Sequence, residues 1–364
     1  MNAPRRHADN DRPLLAITMG DPGGIGAEVV VKALAEPELR GLGRFVVYGL
    51  DEMLQYAADR AEIRPYWFRV PHEDVGAVES GVVVADFDEY TAFGPALTRP
   101  TAEGGHASLR FVDEAIDAAR RGFADAVVTG PIHKTSWKMA GCRFAGHTEK
   151  FADAFKTPRV TMMFAAADLK VALATVHVAI SDLRDALNIG CVFRAIDQLH
   201  DALKHWWGQA EPRLAVAGLN PHAGESGRFG DEETRIIEPA MVMARQAGVD
   251  VSGPFPADTL FVPQRRRRFD GIVAMYHDQG LIPVKMLAFD SSVNVTLGLP
   301  IIRTSVDHGT AMDIAFRNKA DPGSMREAIR LACRLASTAR GARGAESGGG
   351  PPALNANIRP AAAE

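Results

Sequence analysis

A chain of 364 residues, 46% hydrophobic and 24% charged with a net charge of -4, has the make-up of a folded enzyme; it is too evenly charged to present a nucleic-acid-binding field. Its three cysteines, Cys142, Cys191 and Cys333, lie far apart and form no C-x-x-C, which argues against a disulfide framework or thiolate metal site and for a reducing cytoplasm. No apolar segment follows Arg5-Arg6 and no run of about eighteen apolar residues occurs, so neither export nor membrane spanning is indicated.

From Leu14 onward, short apolar runs alternate with Gly- or Pro-containing breaks and longer segments of helical period, the rhythm of an α/β fold with a mostly parallel sheet. The first strand, 14–18, runs into Gly20-Asp-Pro-Gly-Gly-Ile-Gly26, which opens a helix over 27–36 stopped by Pro37. That loop is no G-x-G-x-x-G fingerprint, because Val29 stands in the last glycine's place. Strands follow at 45–48, 82–84 and 126–128, with a helix over 107–121 before the last of these. Strands at 160–164 and 171–174 precede a helix over 191–207; the strand 214–217 precedes a helix over 232–247. The basic run 265–268 reads as a solvated turn. Strands at 272–275 and 293–297 and a helix over 324–338 complete the folded region, and the Gly/Ala/Pro-rich stretch 339–364 reads as disordered. The Val/Ile/Leu/Ala make-up of the strands suits a sheet covered on both faces.

Three strands end alike. Val171-Ala-Leu-Ala-Thr-Val-His177, Leu214-Ala-Val-Ala-Gly-Leu-Asn-Pro-His222 and Ile272-Val-Ala-Met-Tyr-His277 each place a histidine just after a buried strand. Ligands of open α/β sheets bind at the carboxyl ends of strands, so three such endings point to three imidazoles at one cleft. Neutral imidazole suits zinc and other first-row divalent ions, and three protein ligands leave positions open for substrate. Singly, each histidine reads more often as a hydrogen-bonded structural residue, and it is the repetition that raises the case for a shared metal. Asn220, Glu225, Asp278 and Gln279 beside them are able to orient ligands.

Lys285, Asn294 and Arg303 recur at nine-residue intervals after the third histidine, read as lying at the mouth of an apolar strand pair. Cations there are expensive to bury unless an anion meets them, and phosphate or carboxylate is the candidate; an ion pair with Asp307 or Asp290 is the alternative. Gly146-His-Thr-Glu149, before a helix, offers an anion site at a helix start through His147 and Thr148, or a plain cap by Thr148.

Together these segments resemble the 4-hydroxythreonine-4-phosphate dehydrogenase (PdxA) family. The resemblance rests on the glycine loop, Thr129-Gly-Pro-Ile-His-Lys134, Gly146-His-Thr-Glu149, Asn220-Pro-His-Ala-Gly-Glu225, Pro256-Ala-Asp-Thr-Leu-Phe261, Tyr276-His-Asp-Gln-Gly280 and 293–315. A more distant similarity to isocitrate and isopropylmalate dehydrogenases lies in Gly20 to Glu28 and in His308-Gly-Thr-Ala-Met-Asp-Ile-Ala315. The resemblance implies a two-lobed α/β/α fold: an outer nucleotide-binding lobe of 13–135 plus 295–338, a metal, substrate and dimerisation lobe of 136–294, and a flexible N-terminus of 1–12.

By the same resemblance His177, His222 and His277 are metal ligands, one of them supplied by the partner subunit of a homodimer. His147, Thr148, Lys285, Asn294 and Arg303 hold the substrate, and His308, Gly309, Ala311 and Asp313 belong to the nucleotide loop. The implied reaction is metal-dependent oxidation of 4-phosphooxy-L-threonine by NAD or NADP, with zinc, magnesium, cobalt or manganese as the ion and decarboxylation of the β-keto acid. Spacing does not assign the general base: Lys285, Asp258 and a metal-bound hydroxide are the candidates. Two departures, Ala27 for a usual proline and Val176 for a usual threonine, leave the reaction type intact. Leu281-Ile-Pro-Val-Lys285 is closer to paralogues acting on 4-phospho-D-threonate or 4-phospho-D-erythronate. A metal-dependent hydrolase is the alternative of another class, since three histidines also activate water.

Overall fold

A computed structural model describes residues 12–76, 78–90, 98–166 and 168–346. Among the described residues twelve strands form one sheet: β1 (Leu14–Thr18), β2 (Arg44–Gly49), β3 (Trp67–Pro71), β4 (Val82–Asp86), β5 (Ala126–Thr129), β6 (Thr161–Ala166), β7 (Leu169–Leu173), β8 (Arg213–Ala217), β9 (Asp250–Phe255), β10 (Gly271–Ala274), β11 (Val293–Leu297) and β12 (Ile302–Ser305). Their order is β3-β4-β2-β1-β5-β12-β11-β6-β7-β10-β8-β9. The six strands from β3 to β12 run parallel, as do the four from β7 to β9; antiparallel pairings at β12–β11, β11–β6 and β6–β7 reverse the direction between the two halves. All five residues of β1 are buried, as a strand with both faces covered requires.

Three strands go beyond the sequence reading, each with a reason. β3 is a largely exposed edge strand, β9 contains Gly253-Pro254, and β12 carries Arg303-Thr304-Ser305 in the middle of the sheet. The helix expected from 107 spans Ala102–Arg120, opened by Thr101, whose Oγ1 accepts from Gly104 N at 2.9 Å. Gly105 hides that first turn from a propensity reading, yet a Cβ there would stand 2.1 Å from Ser136 O.

Three expectations are corrected. Lys285 does not lie at a strand mouth: it stands on a helix, His277–Ala288, that runs through Gly280 and Pro283 and packs Leu281 and Val284 on the core beneath β6, β7 and β10. A Cβ at Gly280 would meet Leu173 Cδ2 at 2.6 Å, so the glycine is there for close packing on β7. The basic run is no solvated turn throughout, because Arg266 is buried and pairs with Asp168 at 3.1 Å. The final helix, Gly323–Glu346, continues into the stretch expected to be disordered from 339; residues 347–364, like 1–11, lie outside the described residues. No described helix is long and apolar enough to cross a membrane.

Candidate active site

β7, β10 and β8 are neighbours, so the segments bearing His177, His277 and His222 leave the sheet side by side. The β7–β10 pairing continues past the strands: Ala174 N donates to Ala274 O at 2.9 Å and Thr175 Oγ1 to Met275 O at 2.7 Å. Two residues on, the rings of His177 and His277 face each other with centroids 5.8 Å apart, beside a cavity of about 260 Å³ walled by Ile180, Leu183, Tyr276 and Asp278. Burial lowers the pKa of His177, helped by the charge of Lys134 and by His277, which favours the neutral, ligating imidazole. His277 Nδ1 donates to Asp278 Oδ1 at 2.7 Å, which leaves its Nε2 as the free nitrogen.

Gln279, buried in the same helix, ties the third segment in. Its Oε1 accepts from Met275 N at 2.6 Å, and its Nε2 donates to Gly218 O, just beyond β8, at 2.7 Å. His222 follows on a turn in which residues 222–227 all have positive φ, between 44° and 90°. Four of them carry a Cβ, each at a cost on the order of 1 kcal/mol. The ring of His222 is exposed and packs against Phe229, with centroids 6.0 Å apart. Among the described residues no three His, Cys, Asp or Glu side chains stand close enough together to hold one ion. The donors nevertheless fit a divalent metal: two facing imidazoles, one disposed to be neutral and one oriented by a carboxylate, with a third imidazole at the adjoining strand end.

Arg303 lies in β12 and is 2% exposed. Its Nη2 donates to Thr129 Oγ1 at 2.6 Å and its Nη1 to Thr296 Oγ1 at 2.9 Å, and it sits 5.6 Å from the ring centre of Phe151. Its Nε has no partner, and among the described residues no carboxylate pairs with it. Burial lowers its pKa to about 10, partly offset by Glu149, so it remains charged at neutral pH. Asn294 Oδ1 and His147 Nε2 are likewise enclosed without partners. Burial and the charges of Arg303 and Lys150 hold His147 well below its usual pKa.

His147 and Thr148 open the helix His147–Ala154, and the cap is Gly146, not Thr148, with no side chain satisfying the first N–H groups. Glu149 raises the pKa of both Arg303 and His177, which puts the two groups within one electrostatic neighbourhood. Lys134 joins them: its Cε would lie 3.9 Å from a Cβ at Gly146, and its charge acts on His177.

Lys285 takes the ion-pair alternative, binding Asp307, which also accepts from Ser292 Oγ at 2.9 Å. Asp258 is exposed on the short helix Ala257–Leu260, and no hydrogen bond or ion pair links it to the histidines. His308, Gly309, Ala311 and Asp313 occupy the loop after β12, where Ala311 has a φ of 40° and His308 Nε2 is enclosed without a partner. This loop abuts the glycine loop: Ile25 N donates to Thr310 O at 3.0 Å, and a Cβ at Gly24 would stand 2.7 Å from that oxygen. Lys134, Thr129, Thr296 and Glu233, which anchors the His222 turn, escape a reading of spacing. Of these, Thr129 and Lys134 have a local signal, their place in Thr129-Gly-Pro-Ile-His-Lys134.

A mostly parallel α/β sheet with imidazoles at adjoining strand ends and a buried, unpaired guanidinium nearby defines an α/β enzyme. The chain belongs to the family of pyridoxal phosphate biosynthetic protein PdxA, whose profile matches residues 42–332. It is 45% identical over 334 residues to a 4-hydroxythreonine-4-phosphate dehydrogenase of Desulforapulum autotrophicum, covering 92% of this chain and 98% of that one. The solved 4-hydroxythreonine-4-phosphate dehydrogenase of Klebsiella pneumoniae superposes with a TM-score of 0.80 at 39% identity, covering 89% of this chain and 99% of that one. A terephthalate 1,2-cis-dihydrodiol dehydrogenase of Burkholderia xenovorans gives 0.63 at 32% identity, covering 88% and 98%. The chain is thus an oxidoreductase of the PdxA dehydrogenase type, acting on a CH–OH group. The hydrolase alternative falls.

Proposed function

We propose that the enzyme oxidises 4-phosphooxy-L-threonine at C3 with NAD or NADP, and that the resulting β-keto acid loses carbon dioxide to give 3-amino-2-oxopropyl phosphate. The observation that carries this reading is Arg303, a buried guanidinium with no carboxylate partner beside the unpartnered Asn294 Oδ1 and His147 Nε2. A charge buried so, with only the more distant Glu149 to offset it, is under-compensated until an anion arrives, and a phosphate answers it.

Arg303, Asn294 and the helix start at His147 and Thr148 bind the phosphate; neutral His147 adds a hydrogen bond without a second charge. Lys134 lies between that group and the histidines and meets the substrate's other anionic end. Lys285, held by Asp307, is a further substrate contact and candidate base of this reading, and the exposed Asp258 is the other candidate base. The residues that would hold a divalent ion are His177, His222 and His277; such an ion supplies Lewis acidity at the substrate hydroxyl, and a nicotinamide accepts the hydride. The loop of His308, Gly309, Ala311 and Asp313, packed on the glycine loop, is the coenzyme site of this reading. The lobes would be 13–135 with 295–338, and 136–294.

A homodimer completes it, with one histidine crossing from the partner. Ile180, Ile282, Met286 and Phe289, between 58% and 83% exposed, give the histidine-bearing segments an apolar surface that a second copy would cover.

The test is NAD(P)H formation with 4-phospho-threonine, 4-phospho-D-threonate and 4-phospho-D-erythronate, with and without chelator. Turnover of the first, abolished by chelator, is expected. Preference for either sugar acid would move the substrate to the alternative suggested by Leu281 to Lys285. Silence on all three, or indifference to chelator, would overturn the reading.

A further inference from the structure

We propose that Glu233 is a positioning residue whose carboxylate clamps the left-handed turn 222–227 to the end of β8 and thereby sets where His222 stands. This rests on the reading of His222 as a metal ligand. Six consecutive positive-φ residues persist only where the surroundings over-determine them. Hydrogen bonds within the turn, such as Ala223 N to Asn220 O at 3.0 Å and Gly227 N to Gly224 O at 3.0 Å, tighten it but do not fix it to the sheet.

Glu233 does. It is 3% exposed; its Oε1 accepts from Leu219 N at 2.8 Å and Asn220 N at 2.7 Å, and its Oε2 from Asn220 Nδ2 at 2.9 Å. Among the described residues no cation pairs with it, so these N–H groups are what its charge answers. Two glycines are fitted to the same carboxylate: a Cβ at Gly218 would meet Glu233 Oε1 at 3.1 Å, and one at Gly224 would meet Oε2 at 2.7 Å. Glu233 also opens a π-helical turn, Glu233–Ile237, the kind of irregularity that recurs at functional sites.

The clamp is also tied to the neighbouring strand end. Gly218, which precedes Leu219, gives its carbonyl to Gln279, and Gln279 sits in the first turn of the helix that begins at His277. Three donors and no acceptor converge on Glu233, so the neutral amide of Glu233→Gln keeps the shape but turns one N–H against a donor.

The experiment compares the full-length wild type with Glu233→Gln, Glu233→Ala and His222→Ala, using Asp231→Asn as a control for charge on the same segment. Each is followed by hydrogen–deuterium exchange over 218–228 and by titration of the apoprotein with Co2+ alone. In Glu233→Gln, exchange over 218–228 should rise while that of β5 stays unchanged, and Co2+ affinity should fall ~10-fold or more, as in His222→Ala. Should Glu233→Ala fail to fold, Glu233→Gln decides. Wild-type exchange in Glu233→Gln, or a loosened turn with undiminished Co2+ binding, would overturn the proposal. If the wild type fails to bind Co2+, or His222→Ala binds it equally well, the metal reading has failed and the proposal goes with it; the exchange data still show whether the clamp exists.

Discussion

Arg303 and Thr129 meet across neighbouring strands, the guanidinium Nη2 donating to the hydroxyl at 2.6 Å although 174 residues separate them. Two threonine hydroxyls satisfy part of Arg303 and neutralise none of it. A buried charge that only Glu149 offsets in part weakens the free protein, so Arg303→Met should leave stability unchanged or raise it by about 1 kcal/mol, while kcat/KM falls by at least ~100-fold. Inorganic phosphate at ten times its Kd should stabilise the wild type by about 1.4 kcal/mol and the variant not at all. Thermal unfolding with and without phosphate checks this; equal stabilisation of both proteins would remove Arg303 from the anion site.

His147 makes a second, pH-dependent prediction. Burial, Arg303 and Lys150 depress its pKa in the folded state below the ordinary 6.5. The unfolded chain therefore binds the proton more readily, and the sign follows: stability from this group is complete above 6.5 and is lost as pH falls below it toward the folded-state value. His147→Gln should flatten the decline in unfolding temperature between about pH 6.5 and 5 relative to the wild type. Parallel curves for the two proteins would show that His147 titrates normally.

How much of this was legible beforehand depended on whether a residue's role is local. The strand Leu14–Thr18 is found at the residues its apolar run indicates, because a strand buried on both faces has an unbroken apolar signature. β12 was not, since its central Arg303-Thr304-Ser305 reads as polar, and only the sheet around it shows that polarity to be buried. The helix His277–Ala288 was hidden by Gly280 and Pro283, whose cost is offset by packing against β7. At the site, the histidines announce themselves by repetition. Their supports do not: Glu233 reaches back 13 residues to Asn220, Gln279 reaches 61 to Gly218, and Arg303 finds Thr129 only once β5 and β12 pair.

Gly24 tests the junction between the glycine loop and the loop assigned to the coenzyme. A Cβ there would lie 2.7 Å from Thr310 O and 2.8 Å from Thr310 Cβ, while Ile25 N holds the same carbonyl at 3.0 Å. Gly24→Ala must therefore part the loops, at a cost of about 1–3 kcal/mol. The KM for the nicotinamide should rise, and the KM for the phosphorylated substrate should not, because Arg303 and the helix start at His147 are untouched. Steady-state kinetics with each substrate varied in turn will show this, and equal changes in both constants would dissociate the loop from coenzyme binding.

Gln279 provides the sharpest separation of support from chemistry. Its amide answers a buried N–H at Met275 and a carbonyl at Gly218 together, so Gln279→Leu, close in size, leaves both without partners and should cost about 2 kcal/mol or more. Gln279→Glu keeps the acceptor for Met275 N and loses the donor to Gly218 O. It should therefore retain the setting of the His277 helix start while releasing the β8 side, with stability between wild type and the leucine variant. Because the released side carries the turn of His222, Co2+ affinity should fall ~10-fold in both variants, whereas coenzyme KM stays near wild type. Denaturant midpoints, Co2+ titration and coenzyme kinetics on the three proteins measure each part separately. A glutamate variant that loses stability yet binds Co2+ as the wild type does would show that the bond to Gly218 braces the sheet without setting the histidine.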